Sequence, residues 1–159
     1  MDVKLINPFI SATTNVLETM AFISVSAGKP YLKTDSVAKG DVTGIISLNG
    51  VTNGTISVTF QEKCILRIVS NMFGEEMQEL NEEISDAVGE LTNMISGQAR
   101  KELEETGKIF HSAIPSVITG KSHTITHYTD GPKIAIPFYT KQGNFTIEVC
   151  FEKLRKRLK

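Results

Sequence analysis

Asp86, Glu90 and Asn93 fall on one stripe of a predicted helix, within the run Asp86-Ala-Val-Gly-Glu90-Leu-Thr-Asn93. At about 100° per residue, Ile84, Val88, Leu91 and Ile95 gather on one side of that helix, and Asp86, Glu90, Asn93 and Gly97 share a narrow arc on the other. A carboxylate and a carboxamide therefore face water together. The first accepts charge-assisted hydrogen bonds and the second both accepts and donates, so the pair suits contact with a second macromolecule.

Polar residues opposite an apolar stripe are also what any surface helix shows. A merely solvated face is usually filled with Lys, Glu, Gln or Ala, whereas this one carries Gly89, Asn93, Ser96 and Gly97. Each Gly costs roughly 0.8–1 kcal/mol relative to Ala inside a helix. Small residues beside a projecting Glu and Asn would let a partner lie close while two side chains reach into it. The residues alone leave both readings open.

The spacing Asp86-x3-Glu90-x2-Asn93-x21-Pro115 resembles the signature of the CheC/CheX/FliY chemotaxis phosphatases, and one intact copy in a chain of this length is most similar to the CheX type. Asn71-Met-Phe-Gly74 before the motif and Pro115-Ser-Val-Ile-Thr-Gly120 after it extend the resemblance. It implies a homodimer that dephosphorylates the aspartyl phosphate of a CheY-type response regulator. The Mg2+ and a lysine would come from that partner, with no cofactor bound by this chain. The resemblance further implies Asn93 as the residue that orients the attacking water and Glu90 as its companion in catalysis, pairing with the partner's lysine. Asp86, Glu90, Gly97 and Pro115 would meet the partner. A non-catalytic adaptor of the same fold, docking the same regulator, is the alternative.

Phosphoryl transfer leaves a protein little covalent work, so positioning and electrostatics supply most of the rate. An amide suits that task because its oxygen accepts from water while it carries no charge to repel phosphoryl oxygens.

The rest of the sequence narrows the field. With 159 residues, 40% hydrophobic and 22% charged, the chain fits one domain over residues 1–152, followed by a basic tail at 153–159. A net charge of −1 argues against a general nucleic-acid binder. Cys64 and Cys150 form no CxxC spacing and read as reduced core residues. No apolar run precedes Pro8 and no stretch reaches membrane-span length, so a cytoplasmic protein is expected. His123-x3-His127 and His111 offer no third ligand type at a recognisable spacing, so no metal site is expected. There is no phosphate-binding glycine loop and no Ser-His-Asp or Cys-His arrangement, which disfavours a hydrolase with a covalent nucleophile.

Periodicity and turn signals set the helices and strands around the motif. Asn7 caps a helix starting at Pro8 and running to about Phe22; strands cover Tyr31 to Val37, Asp41 to Leu48 and Thr55 to Phe60, with Asn53-Gly54 as the hairpin turn. A helix over 61–73 stops at Gly74, and the motif helix runs from Asn81 to Thr106, stopped by Gly107. Strands follow at Phe110 to Thr119, Lys133 to Thr140 and Asn144 to Phe151. Ile56-Ser-Val58-Thr-Phe60 and Ile147-Glu-Val149-Cys-Phe151 end two similar halves, each helix, strand and hairpin. The first half shows Ser11, Asn15 and Glu18 where the motif would stand, so it repeats the shape without the site. The expected class is α+β, a CheC-like single domain of two pseudo-duplicated halves, with one antiparallel-rich sheet and the long helices on one face.

Overall fold

In the computed structural model, which describes residues 3–121, 123–127 and 129–152, three helices pack on one face of a single antiparallel sheet. They are α1 (Val3–Ala21), α2 (Glu62–Phe73) and α3 (Glu82–Glu105). The strands are β1 (Ser26–Ala27), β2 (Tyr31–Lys33), β3 (Val42–Gly50), β4 (Asn53–Phe60), β5 (Phe110–Ser112), β6 (Ser116–Thr119), β7 (Lys133–Thr140) and β8 (Gly143–Phe151). Their order is β1-β7-β8-β4-β3-β5, with β2 also on β7 and β6 also on β3. Alternate residues of the strands, among them Ile46, Leu48, Ile56, Val58, Ile136, Ile147 and Val149, point into one core with Phe9, Val16 and Leu17 of α1, Ile65 and Ile68 of α2, and Val88, Leu91 and Ile95 of α3.

The central pair is β4 against β8, where Ile56 faces Val149 and Val58 faces Ile147. The two similar sequences therefore lie across from each other about a local twofold, at which Ser57 faces Glu148. Each half gives its edge to the other: β1 and β2 pair with β7 of the second half, and β5 and β6 pair with β3 of the first.

Both edges carry the same irregularity. Leu48 faces Ser112 but Ile45 faces Ser116, so Ile46 and Ser47 of β3 stand against Ala113, Ile114 and Pro115. On the other edge Ala27 faces Phe138 but Tyr31 faces Ala135, so Ile136 and Pro137 stand against Gly28, Lys29 and Pro30. Each is a β-bulge, an extra residue that bends the strand and re-aims a side chain. The expected continuous strand Phe110 to Thr119 is thus interrupted at Pro115, which has no N–H to give a ladder.

Other boundaries also differ. Helix α1 begins before Asn7 and holds Pro8 inside it, where burial of Ile6 and Phe9 offsets the missing amide bond. The strand expected over Tyr31 to Val37 ends at Lys33, because its partner β7 begins at Lys133, directly opposite; Val37 makes only an isolated bridge to Thr124. Asn53 and Gly54 lie within β4, and the turn falls at Val51-Thr52. Gly54 is needed there because the Phe151 ring occupies the space of its Cβ. Residues 153–159, where the basic tail falls, lie outside the described residues.

The face away from the helices is lined by polar side chains and covered by the segments before β3 and before β7. Thr43 and Thr59 share a hydrogen bond of 2.7 Å, with His123 on Thr43. Lys33 donates to Glu148 Oε2 at 2.6 Å, and His127 Nε2 lies 3.1 Å from Oε1. Cys150 is on this face beside Thr129, whereas Cys64 is on the helix side; both are free and buried. Burial, partly opposed by a hydrogen bond with Thr140, pushes the Cys64 thiol up to about 11.

Candidate functional site

Helix α3 is fixed at both ends by local chemistry. Asn81 caps it by accepting from the Ile84 amide at 3.1 Å, and Glu82 and Glu83 in the first turn complement the helix dipole. At the other end Gly107 adopts φ 87°, and Lys108 N donates to Leu103 O at 3.0 Å. Midway, Thr92 and Val88 sit directly over Gly44 of β3, whose lack of a side chain lets helix and strand approach closely.

That seating turns Asp86, Glu90 and Asn93 outward, and all three are exposed. Among the described residues, none of the three has a hydrogen-bond or ion-pair partner. Glu90 and Asn93 are separated by about 4.5 Å along the helix axis. Gly97 is half-buried on the same arc. On one flank α1 runs alongside, tied to α3 by Asn15 Nδ2 donating to Gln98 Oε1 at 2.8 Å. The opposite flank holds the half-buried Pro115, whose Cγ lies 4.0 Å from where a Cβ on Gly89 would stand.

One expected member does not belong to this face. Ser96 is fully buried, with its Oγ unpartnered, because it falls on the side of α3 turned toward the sheet. The two glycines do belong there, and the fold itself does not require either. A Cβ on Gly89 would meet Val117 Cγ2 at an ordinary 3.5 Å, and one on Gly97 only Arg100 Nη2 at 3.9 Å. Gly44 is the contrast, since any Cβ there would collide with Thr92.

Clefts of about 500 and 550 Å³ open around Phe22, Arg67 and Asn71, away from the stripe. The stripe is an exposed helix surface, a geometry that serves contact with a macromolecule better than enclosure of a small ligand. The histidines are used separately: His123 on Thr43, His127 on Glu148, and His111 exposed on β5. Among the described residues no three His, Cys, Asp or Glu side chains gather as a metal site would require. No described helix is long and apolar enough to cross a membrane.

An antiparallel sheet with three helices on one face is the CheC-like architecture, and comparison with known proteins narrows it. The family described as chemotaxis phosphatase CheX matches residues 42–139, more than half of the sequence, and the chain belongs to that family. The CheY-P phosphatase CheX of Thermotoga maritima is 26% identical over 143 residues, covering 89% of this chain and 92% of its own. The crystal structure of a chemotaxis protein CheX from Desulfovibrio desulfuricans is 52% identical, with a TM-score of 0.87 over 93% of this chain and 99% of that one. A CheX–CheY–BeF3–Mg2+ complex from Borrelia burgdorferi contains the same fold, at 24% identity and TM-score 0.79 over 93% and 97% of the two chains.

Proposed function

We propose that this chain hydrolyses the aspartyl phosphate of a CheY-type response regulator, with Asn93 orienting the attacking water and Glu90 pairing with a lysine of the regulator. The observation that carries this is the pair itself, exposed on the outer face of α3 and without partners among the described residues. Unpaired polar ends facing outward are free to enter another protein's site. The family membership supports a phosphatase, and the Thermotoga relative is named as acting on phosphorylated CheY.

The regulator brings the acyl phosphate, a Mg2+ and its lysine; this chain adds the missing alignment of water with phosphorus. Asn93 acts there as a neutral amide, accepting from water through Oδ1. Glu90, one turn earlier, fixes register through a charge-assisted bond. Asp86 lies further along the same face, Pro115 forms its wall, and Gly97 lets the partner come close.

The test is phosphate release from a phosphorylated CheY-type regulator with this protein substoichiometric. Multiple turnovers support the proposal. Stoichiometric protection of the phosphoryl group, or no effect, would instead identify a non-catalytic adaptor. The exposed edges of the sheet make a homodimer part of the same proposal, to be checked by sedimentation.

A further inference from the structure

The bulge at Ala113-Ile114-Pro115 exchanges two apolar residues. Had the β5 register continued, residue 114 would oppose Ile46 and point toward the core. The slip gives that inward place to Pro115, which packs toward Gly89, and expels Ile114, leaving it 89% exposed. Its backbone is nevertheless held on both sides, by Ala113 N donating to Ser47 O at 3.0 Å and by the half-buried Pro115.

The molecule supplies its own comparison. The bulge on the opposite edge is built alike, with Gly28 N donating to Pro137 O and Pro30 following, and its extra residue is Lys29. A lysine is what an edge in water ordinarily carries. The half that lacks the Glu90/Asn93 pair has the soluble choice, and the half that has the pair carries an isoleucine next to the proline that flanks its helix.

Resting on the function proposed above, we infer that Ile114 is an apolar anchor for the response regulator, entering a nonpolar depression beside its phosphorylation site. Pro115 packs beside Gly89, the residue before Glu90, so Ile114 lies one residue from the wall of the surface that the pair presents to that partner. A backbone held in place before binding loses little freedom on contact, so more of the area buried at Ile114 is left to contribute to affinity. It touches no reacting atom; its role is to position the regulator.

The test uses Ile114→Lys, which installs the residue of the other edge, and Ile114→Leu, which keeps the apolar contact. The readouts are affinity for a beryllofluoride-loaded, Mg2+-bound CheY-type regulator and the kcat and KM for phosphate release. Ile114→Lys is expected to weaken binding and raise KM by about tenfold or more, with kcat and Tm held, while Ile114→Leu stays within about threefold of wild type. Unchanged affinity in Ile114→Lys overturns the inference. So does a change in self-association without a change in regulator affinity, which would make a second copy the occupant. A wild-type chain that binds the loaded regulator but releases no phosphate defeats the hydrolytic function alone, and the binding comparison still decides the anchor. A chain that does neither defeats both.

Discussion

Gly44 of β3 lies directly beneath Thr92 of α3, so close that a methyl group on Gly44 would overlap the threonine hydroxyl. The height of the motif helix above the sheet is set at this contact. Gly44→Ala is expected to destabilise the protein by about 1–3 kcal/mol, the usual range for overpacking. Thr92→Ala in the same chain should recover part of that loss, and urea unfolding of the four members of the cycle measures the coupling. Additive effects would mean that the two residues do not share the contact.

Asn93→Ala removes the amide proposed to align water. Phosphate release from the phosphorylated regulator should fall by on the order of 10² or more in kcat, while stability stays within about 0.5 kcal/mol because the residue is exposed. Near-wild-type turnover would remove Asn93 from the mechanism.

Glu90→Ala should chiefly weaken engagement of the phosphorylated regulator. A double-mutant cycle with the regulator's lysine is expected to show a coupling of at least about 1 kcal/mol. Independent effects of the two changes would rule out the ion pair.

Gly97→Ala separates stability from function. Nothing inside the chain crowds a Cβ at that position, so the substitution should stabilise the helix by up to about 1 kcal/mol and raise Tm by roughly 2–4 °C. Regulator affinity should fall as the approach is blocked. A variant both more stable and equally tight would show that Gly97 is not at the interface.

Acid sensitivity should trace to the far side of the sheet. Burial pushes the Glu148 carboxyl up, but hydrogen bonds from His127 and Lys33, with their charges, outweigh it and hold the group below the ordinary glutamate range. A carboxyl depressed on folding stabilises the protein above its unfolded pKa of about 4.3, and that contribution disappears as pH falls through the folded value. Glu148→Gln leaves the buried Lys33 only the exposed Asp35, 3.8 Å away, as counter-charge, which is expected to remove about 3 kcal/mol at neutral pH, the low end for breaking a buried pair. The gap from wild type should narrow in acid, and denaturant unfolding across the acid range reads it directly.

Features decided by nearby residues were legible in the sequence. The start near Asn81, the stop at Gly107 and the outward stripe of Asp86, Glu90 and Asn93 all follow from local signals and spacing within one helix. What escaped depends on distant strands. Nothing local marks Gly28-Lys29-Pro30 as a bulge until β7 is placed beside it, and the slip that expels Ile114 exists only relative to β3. Asn53-Gly54 carries the local signal of a hairpin turn, and the Phe151 ring that claims the glycine for β4 comes from the other end of the chain. The burial of Ser96 escapes for a similar reason, since helix periodicity does not reveal where the sheet's flank lies.

The crossed giving of edges has a consequence for the chain as a whole. A single cut in the 75–80 connection would leave two pieces still clasped, because each holds the outermost strand that the other's hairpin requires. Neither piece alone closes its sheet, so fragments made separately should reassemble only on mixing. The slow event in reaching the native state is then the mutual handover of borders between remote parts of the polypeptide, with helix growth far faster.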